Sequence, residues 1–148
     1  MGYIKGQNRG QITLFPDAID DYIQDNSSVR IIDEYIEQLD IEKLGFKRAV
    51  PSTTGRPPYN PKDLLKLYIY GYLNRIRSSR RLEQETMRNI EVMWLLKKLT
   101  PDFKTIADFR KDNKKALKKV FRDFTKLCDE WNLFGKELVA VDGSKFRA

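Results

Sequence analysis

Four arginines lie close together near the middle of the 148-residue chain, across a predicted turn between two helices. The cluster consists of Arg75, Arg77, Arg80 and Arg81. The planar fork of N–H donors on each guanidinium matches phosphate oxygens, so the cluster can contact several phosphates. Such contacts supply affinity and register rather than sequence recognition. The alternative is a structural role, in which the arginines cap a helix C-terminus and pair with Glu83 and Glu85.

A second candidate site is the short segment from Asp102 to Lys111, with the sequence DFKTIADFRK, which follows a turn. A helix that contacts base edges in the major groove needs polar side chains near its N-terminal end. The outward polar side chains of the segment are Lys104, Thr105, Asp108 and Lys111, with Arg110 beside them, and the residues assigned to DNA are Lys104, Thr105, Arg110 and Lys111. In the alternative interpretation the segment is an ordinary surface helix, and Thr105 serves only as its N-cap.

Asp142 is a candidate metal ligand. It follows a short apolar run over residues 138–141, with the sequence LVAV, and it precedes Gly143. A carboxylate at the end of a buried strand is well placed to hold Mg²⁺. Two-metal phosphoryl transfer needs several carboxylates, and none of the six residues after Asp142 is acidic. The local pattern equally fits a turn aspartate with no catalytic role.

Several kinds of chemistry are excluded by composition. The chain has no histidine and a single cysteine, Cys128, which removes almost every zinc site and the Ser-His-Asp and Cys-His arrangements. One cysteine allows no internal disulfide, which is typical of the cytoplasm. Residues 1–13 lack the apolar core of a signal peptide, and no apolar run approaches the roughly 20 residues that span a bilayer. We therefore expect a cytoplasmic protein without a membrane partner, associated with the nucleoid if it binds DNA.

The excess positive charge, a net +7, lies in the second part of the chain. Residues 1–55 contain six basic and nine acidic residues, whereas residues 56–148 contain twenty-two basic and twelve acidic ones. This distribution favours an acidic partner such as nucleic acid. A solvated lysine-rich surface remains the alternative.

Most of the chain shows the spacing of amphipathic helices. Residues 1–16 are expected to be a loosely ordered arm, and a loop from Pro51 to Pro58 is expected to precede a central helix. That helix is predicted over residues 61–76, with Asn60 as its N-cap and Pro61 at its first position. The longest helix is predicted over residues 114–131. Its lysine-rich face is typical of a solvated surface, and its apolar stripe is typical of a core or a homodimer face.

The stretch from Arg56 to Asn113 resembles the N-terminal domain of InsH-type insertion-sequence transposases. Four submotifs carry the resemblance, in the order RPPY, LNRIRSSRR, WL and PDFKTIADFR. In that family a helical domain binds the terminal inverted repeats of the element, and an RNase H-like domain with an Asp-Asp-Glu triad and Mg²⁺ follows it. The segment from Val139 to Ala148 resembles the first strand of that catalytic domain, which makes Asp142 the counterpart of the first acid.

The sequence and the resemblance together predict a mainly α-helical fold with a helix-turn-helix-like arrangement and a short C-terminal strand. We expect an arm over residues 1–16, a helical DNA-binding domain over 17–134 and the start of a truncated catalytic domain over 135–148. The expected function is recognition of double-stranded DNA at transposon ends. The second Asp and the Glu are missing from the 148 residues, so we expect no cofactor and no catalysis for them alone, and Mg²⁺ only in a full-length enzyme.

Two alternatives remain open. One is a helical interaction module that self-associates through its apolar faces and has negligible affinity for DNA. The other is a decayed transposase remnant that acts as a repressor by occupying the transposon ends unproductively. An intact enzyme is a third class, and the incomplete triad argues against it.

Overall fold

The computed structural model describes residues 2–49, 54–55 and 57–131, with the side chain of residue 131 excepted. These residues form a short 3₁₀ helix at Ile19–Tyr22 followed by six α-helices. The α-helices are α1 (Ser28–Glu37), α2 (Pro61–Leu73), α3 (Ser79–Arg88), α4 (Ile90–Leu95), α5 (Phe103–Asp112) and α6 (Lys114–Trp131). The described part of the chain contains no β-strand, which confirms the mainly helical prediction. The strand predicted before Asp142 lies outside the described residues.

The central helix is α2, which packs against α1, α4 and α5. It begins as predicted, because the Asn60 side chain accepts the Lys62 N–H at 2.9 Å and Pro61 occupies the first turn. Every residue from Leu64 to Gly71 is buried. A helix that is apolar nearly all round must be enclosed on all sides, so the other helices are arranged around α2.

The end of α2 comes at Leu73, three residues earlier than the sequence pattern predicts. The Ile76 N–H donates to the Gly71 carbonyl at 2.7 Å and the Arg75 N–H donates to the Tyr72 carbonyl at 3.4 Å. These two bonds are the Schellman arrangement, which places one residue in a left-handed conformation where glycine is usual. Here that residue is Arg75, with φ of 60°.

Gly71 allows the turn after α2 and the side chain of Leu82 to approach the α2 backbone closely. A Cβ at this position would lie 2.7 Å from the Ile76 carbonyl oxygen and 2.8 Å from a Leu82 methyl carbon. A side chain at residue 71 would clash with Ile76 after the turn and with Leu82 in α3. Both can take their positions only because residue 71 is glycine.

An ion-paired lysine inside the core joins α1 to α2. Lys66 is fully buried, and its Nζ lies 2.7 Å from Asp33 Oδ1 and 2.6 Å from Glu37 Oε1. Burial lowers the pKa of Lys66, but the hydrogen bonds to the two carboxylates outweigh burial and raise it above its ordinary value. The bond from Lys66 in turn lowers the pKa of Glu37. A buried charge requires such partners, so this cluster holds α1 in place on α2.

The longest helix, α6, has the bounds that the sequence predicts, and the caps of α1, α3 and α4 are side chains of serine and asparagine. Ser27 caps α1 and Ser78 caps α3, each accepting a backbone N–H at 3.4 Å. Asn89 separates α3 from α4, and its side chain accepts from the first turn of α4. The apolar stripe of α6 packs inward, with ring pairs Tyr35–Phe124 and Tyr72–Phe121 at centroid distances of 5.0 and 5.2 Å.

Candidate nucleic-acid interface

The helices α3 and α5, which carry most of the predicted contact residues, pack directly against each other. The Arg80 guanidinium lies over the Phe103 ring, with 4.1 Å between its carbon and the ring centroid. The Glu83 carboxylate accepts the Phe103 N–H at 2.8 Å. A stacked guanidinium and a bond to the first residue of α5 thus join the two helices. The N-terminal half of α3 and the N-terminal end of α5 lie side by side.

The arginine corner is the turn between α2 and α3 together with the first turn of α3, and it comprises Arg75, Arg77, Arg80 and Arg81. All four residues are exposed. A left-handed conformation costs a non-glycine residue roughly 1–2 kcal/mol, so Arg75 occupies a place that glycine would fill with less strain. The sequence places four positive charges within residues 75–81, and the structure leaves all four at the surface.

The carboxylates beside the arginine corner are engaged elsewhere. Glu85 pairs with Arg88 at 2.7 Å and also accepts from the Asn89 side chain at 2.8 Å. Burial raises the pKa of Glu85, but these hydrogen bonds outweigh burial and leave it below its ordinary value. Glu83 is bonded to α5. Within residues 2–49, 54–55 and 57–131 no ion pair joins the corner arginines to a carboxylate, so the pairing part of the structural alternative is not observed. The capping part holds for the backbone of Arg75, which belongs to the turn that ends α2, and the charge of Arg81 contributes to the lowered pKa of Glu85.

The surface of α5 divides into two flanks of opposite charge. Ile106 and Phe109 are buried and face the core. On the α3 side lie Phe103 and Arg110, the latter close enough to the Tyr68 hydroxyl to affect its pKa. The opposite flank, with Thr105, Asp108 and Asp112, lines a cavity. The remaining candidates, Lys104 and Lys111, are exposed.

The N-terminal end of α5 is closed by carboxylates. Asp102 is the N-cap and accepts the Thr105 N–H at 2.8 Å, while Glu83 accepts the Phe103 N–H. Thr105 is therefore a first-turn residue rather than the N-cap. Free N–H groups at a helix N-terminus attract phosphate, and here two of them already have anionic partners. These two N–H groups are not available to a phosphate, so we expect phosphate contacts near this end to come from basic side chains.

A buried tyrosine fixes α5 against the central helix between its two flanks. The Tyr68 hydroxyl donates to the Ile106 carbonyl, and the Tyr68 ring stacks on Phe109 at a centroid distance of 5.8 Å. Burial raises the pKa of Tyr68 to about 12, against smaller opposing effects of Ser79 and Arg110. The phenol is therefore held neutral, as a donor to the α5 backbone.

Two adjoining cavities make up what we call the acidic groove: one of about 910 Å³ on the acidic flank of α5, and one of about 620 Å³ beside the end of α1 and the start of α2. They share a wall that includes Arg48, Pro58, Tyr59 and Pro61. The charged residues around this acidic groove are Glu37, Asp40, Glu42, Lys47, Arg48, Lys62, Asp102, Asp108 and Asp112. Among the described lining residues six are acidic and three are basic, a net charge of −3 on a chain whose total is +7, and one of the six, Glu37, is already paired with the buried Lys66.

Sequence reasoning missed three features of this region. The stacking of Arg80 on Phe103 and the bond from Glu83 to α5 join residues twenty or more positions apart, so no local pattern signals them. The acidic flank does have a signal, because Asp108 and Asp112 are four residues apart and must share a helix face. Asp142, the predicted metal ligand, lies outside the described residues. Within the described ranges no group of three or more Cys, Asp or Glu side chains could hold a metal ion.

No helix within the described ranges has both the length and the apolarity needed to cross a bilayer.

Comparison with known proteins gives a family for this chain. Neither the curated proteins nor the solved structures gave a match. The family model described as Transposase domain (DUF772) matches residues 17–112, from the 3₁₀ helix region to the end of α5. This match covers more than half of the chain, so the protein belongs to the transposase domain family DUF772.

Proposed function

We propose that this transposase-family chain is the DNA-binding domain of an insertion-sequence transposase of the InsH type, and that it recognises the terminal inverted repeats of its element. The family match supports a transposase-related role. The sequence resemblance over residues 56–113 supports the narrower type.

The observation that carries the proposal is the packing of α3 against α5 at the arginine corner. Arg80 stacks on Phe103 and Glu83 bonds the first N–H of α5, so corner and helix form one ridge. A ridge of this kind can place a helix in the major groove while neighbouring arginines contact the flanking phosphates. In this role the two helices act together in the manner of a helix-turn-helix.

The roles we assign follow the two chemistries of a DNA surface. We assign the phosphate contacts to the four residues of the arginine corner, Arg75, Arg77, Arg80 and Arg81. Contacts at or beside base edges fall to Lys104, Thr105, Arg110 and Lys111. Lysine and arginine suit guanine O6 and N7, and a hydroxyl suits several bases. Thr105 is half-buried on the acidic flank, so we expect the smallest contribution from it.

The catalytic part of the proposal concerns Asp142 alone. Its carboxylate is a hard oxygen donor of the type that Mg²⁺ prefers, and in a full-length enzyme with an RNase H-like domain it would be one of the metal ligands. The 148 residues contain no acidic residue after Asp142. We therefore assign no step of strand cleavage or transfer to them.

The test is fluorescence anisotropy of the purified chain with labelled duplexes from the flanks of its own gene, across a salt series. A scrambled duplex of equal length and composition is the control. We expect at least a tenfold preference for one flank and a steep fall of affinity with salt. Equal, weak binding to both duplexes would contradict end recognition and would favour a protein-interaction module.

A further inference from the structure

The N-terminal arm, residues 2–16, presents an unusual surface. It contains no helix or strand, and its large apolar side chains are between 83% and 104% exposed. These side chains are Tyr3, Ile4, Ile12, Leu14 and Phe15. The arm also carries Lys5 and Arg9 and no acidic residue.

Five exposed large apolar side chains within residues 3–15 favour a binding partner, because soluble proteins rarely leave large apolar patches in water. The side chains of the arm are not covered by their own chain. DNA contacts alone would use Lys5 and Arg9 and leave the five apolar side chains in water. The partner surface must therefore be apolar enough to cover them and acidic enough to attract two basic residues.

The acidic groove has both properties. Its floor and walls include the rings of Pro57, Pro58, Tyr59 and Phe109, together with Leu64. Its net charge of −3 is opposite in sign to that of the arm. The acidic side chains Asp108 and Asp112 stand four residues apart on the same face of α5 and can meet basic residues along an extended segment.

We propose that the acidic groove binds the N-terminal arm of a second copy of this chain, so that two protomers exchange arms symmetrically. Exchange of an identical segment is a common route to two-fold dimers, and it buries the same surface twice. Five large apolar side chains from each of two arms would remove on the order of 1,500 Å² from water, which is the size of a stable interface. The proposal goes beyond DNA binding and does not depend on it.

The test is sedimentation velocity of the full chain without DNA, over a range of concentrations. We expect a dimer for the wild-type chain. In one variant Lys5→Glu with Arg9→Glu reverses the charge of the arm, and in another Asp108→Lys with Asp112→Lys reverses the charge of the groove. Each variant alone pairs like charges, so we expect its dimer dissociation constant to rise by at least tenfold.

Mixing the two variants is the decisive step. In a mixed dimer the reversed arm meets the reversed groove, and the native arm meets the native groove, so both contacts are matched again. We expect an equimolar mixture to recover dimers at concentrations where each variant alone is monomeric. An arm that binds the groove of its own chain would give monomers throughout and would overturn the proposal.

Two controls exclude indirect effects. Lys118→Glu with Lys119→Glu changes the charge by the same amount on the exposed face of α6, and the dimer should be unaffected. Ile12→Ser with Leu14→Ser should weaken the dimer without changing the melting temperature, because the side chains of the arm lie outside the core. A monomeric wild-type chain, or arm variants that dimerise normally and lose only DNA affinity, would show that the arm serves DNA rather than a second copy.

Discussion

The two flanks of α5 differ in charge, in neighbours and in the partner that each can accept. The flank beside α3 adjoins four exposed arginines and carries Arg110, and its neighbouring carboxylates are occupied by other partners. The opposite flank carries Asp108 and Asp112 and lines a groove walled by proline and aromatic rings. Both flanks belong to one helix of ten residues.

This difference shows how a small domain can keep two kinds of binding apart. Charges more than about 8 Å apart in water at physiological salt are largely screened from each other. A DNA backbone on the arginine side would therefore be only weakly repelled by acids on the far side of α5. A net charge of +7 describes neither surface, since one region is strongly basic and the other has a net charge of −3.

The largest effect is expected from the arginine corner. Arg80→Ala with Arg81→Ala should weaken DNA binding by about a hundredfold, since two charge-assisted phosphate contacts are lost. The slope of log affinity against log salt should fall by about two. Anisotropy titration measures both quantities. Lys118→Ala with Lys119→Ala removes the same charge from α6 and should change affinity far less; equal losses in the two variants would reduce the corner to a general basic surface.

Arg75→Gly should change stability and DNA binding in opposite directions. Glycine relieves the left-handed strain, so we expect the free energy of unfolding to rise by about 0.5–1 kcal/mol. Loss of one phosphate contact should lower DNA affinity by about tenfold. Denaturant melts and anisotropy measure the two effects.

Lys97→Gly is the matched control for Arg75→Gly. Lys97 is also left-handed, with φ of 53°, but it lies near Glu37 and Asp63 on the groove side. The Lys97→Gly variant should also be more stable to unfolding, because glycine relieves the left-handed strain, and its affinity for DNA should be unchanged. An affinity loss as large as that of Arg75→Gly would show that the DNA surface is not confined to the α3 side.

Tyr68→Phe tests the anchor between the two flanks. Loss of the hydroxyl bond to the Ile106 carbonyl should cost about 1 kcal/mol, seen as a melting temperature lower by about 2–4 °C. The folded-state pKa of Tyr68 is raised to about 12 from an ordinary 10, so its contribution to stability is complete below pH 10 and is lost as the pH rises toward 12. An ultraviolet titration in which Tyr68→Phe removes an early-ionising phenol would contradict this assignment.

The smallest effect on DNA binding is expected from the acidic flank. Asp108→Asn with Asp112→Asn removes two negative charges from the flank away from the arginine corner, one of which, Asp108, lies within one turn of Lys104 and Lys111; affinity should therefore rise only by about threefold. The same anisotropy assay measures it. A tenfold rise would place these carboxylates beside the DNA and would remove the distinction between the two flanks.

The sequence predicts the parts of this fold that depend on local signals. Asn60 and Pro61 mark the start of α2, and the stripe of α6 marks both of its ends, because caps and helical periodicity are short-range properties. The four arginines were also identified from their spacing, and the structure leaves all four exposed.

Features that depend on tertiary contacts could not be predicted in this way. The early end of α2 follows from the left-handed Arg75, a conformation that sequence propensity assigns to glycine. The enclosure of Lys66 requires two carboxylates from a helix about thirty residues earlier. The acidic groove brings together residues from the end of α1, the start of α2 and one flank of α5, which have no common motif.

The most direct test of the account is a nuclear magnetic resonance titration of the isotopically labelled chain with duplex DNA from the flank of its gene. We predict that amide shifts concentrate in residues 75–81, 103–104 and 110–111. The amides of Lys47, Arg48 and Tyr59, which line the acidic groove, should hardly move. Shifts that centre on the groove, or that spread equally over both flanks of α5, would contradict the assignment of DNA to the arginine side.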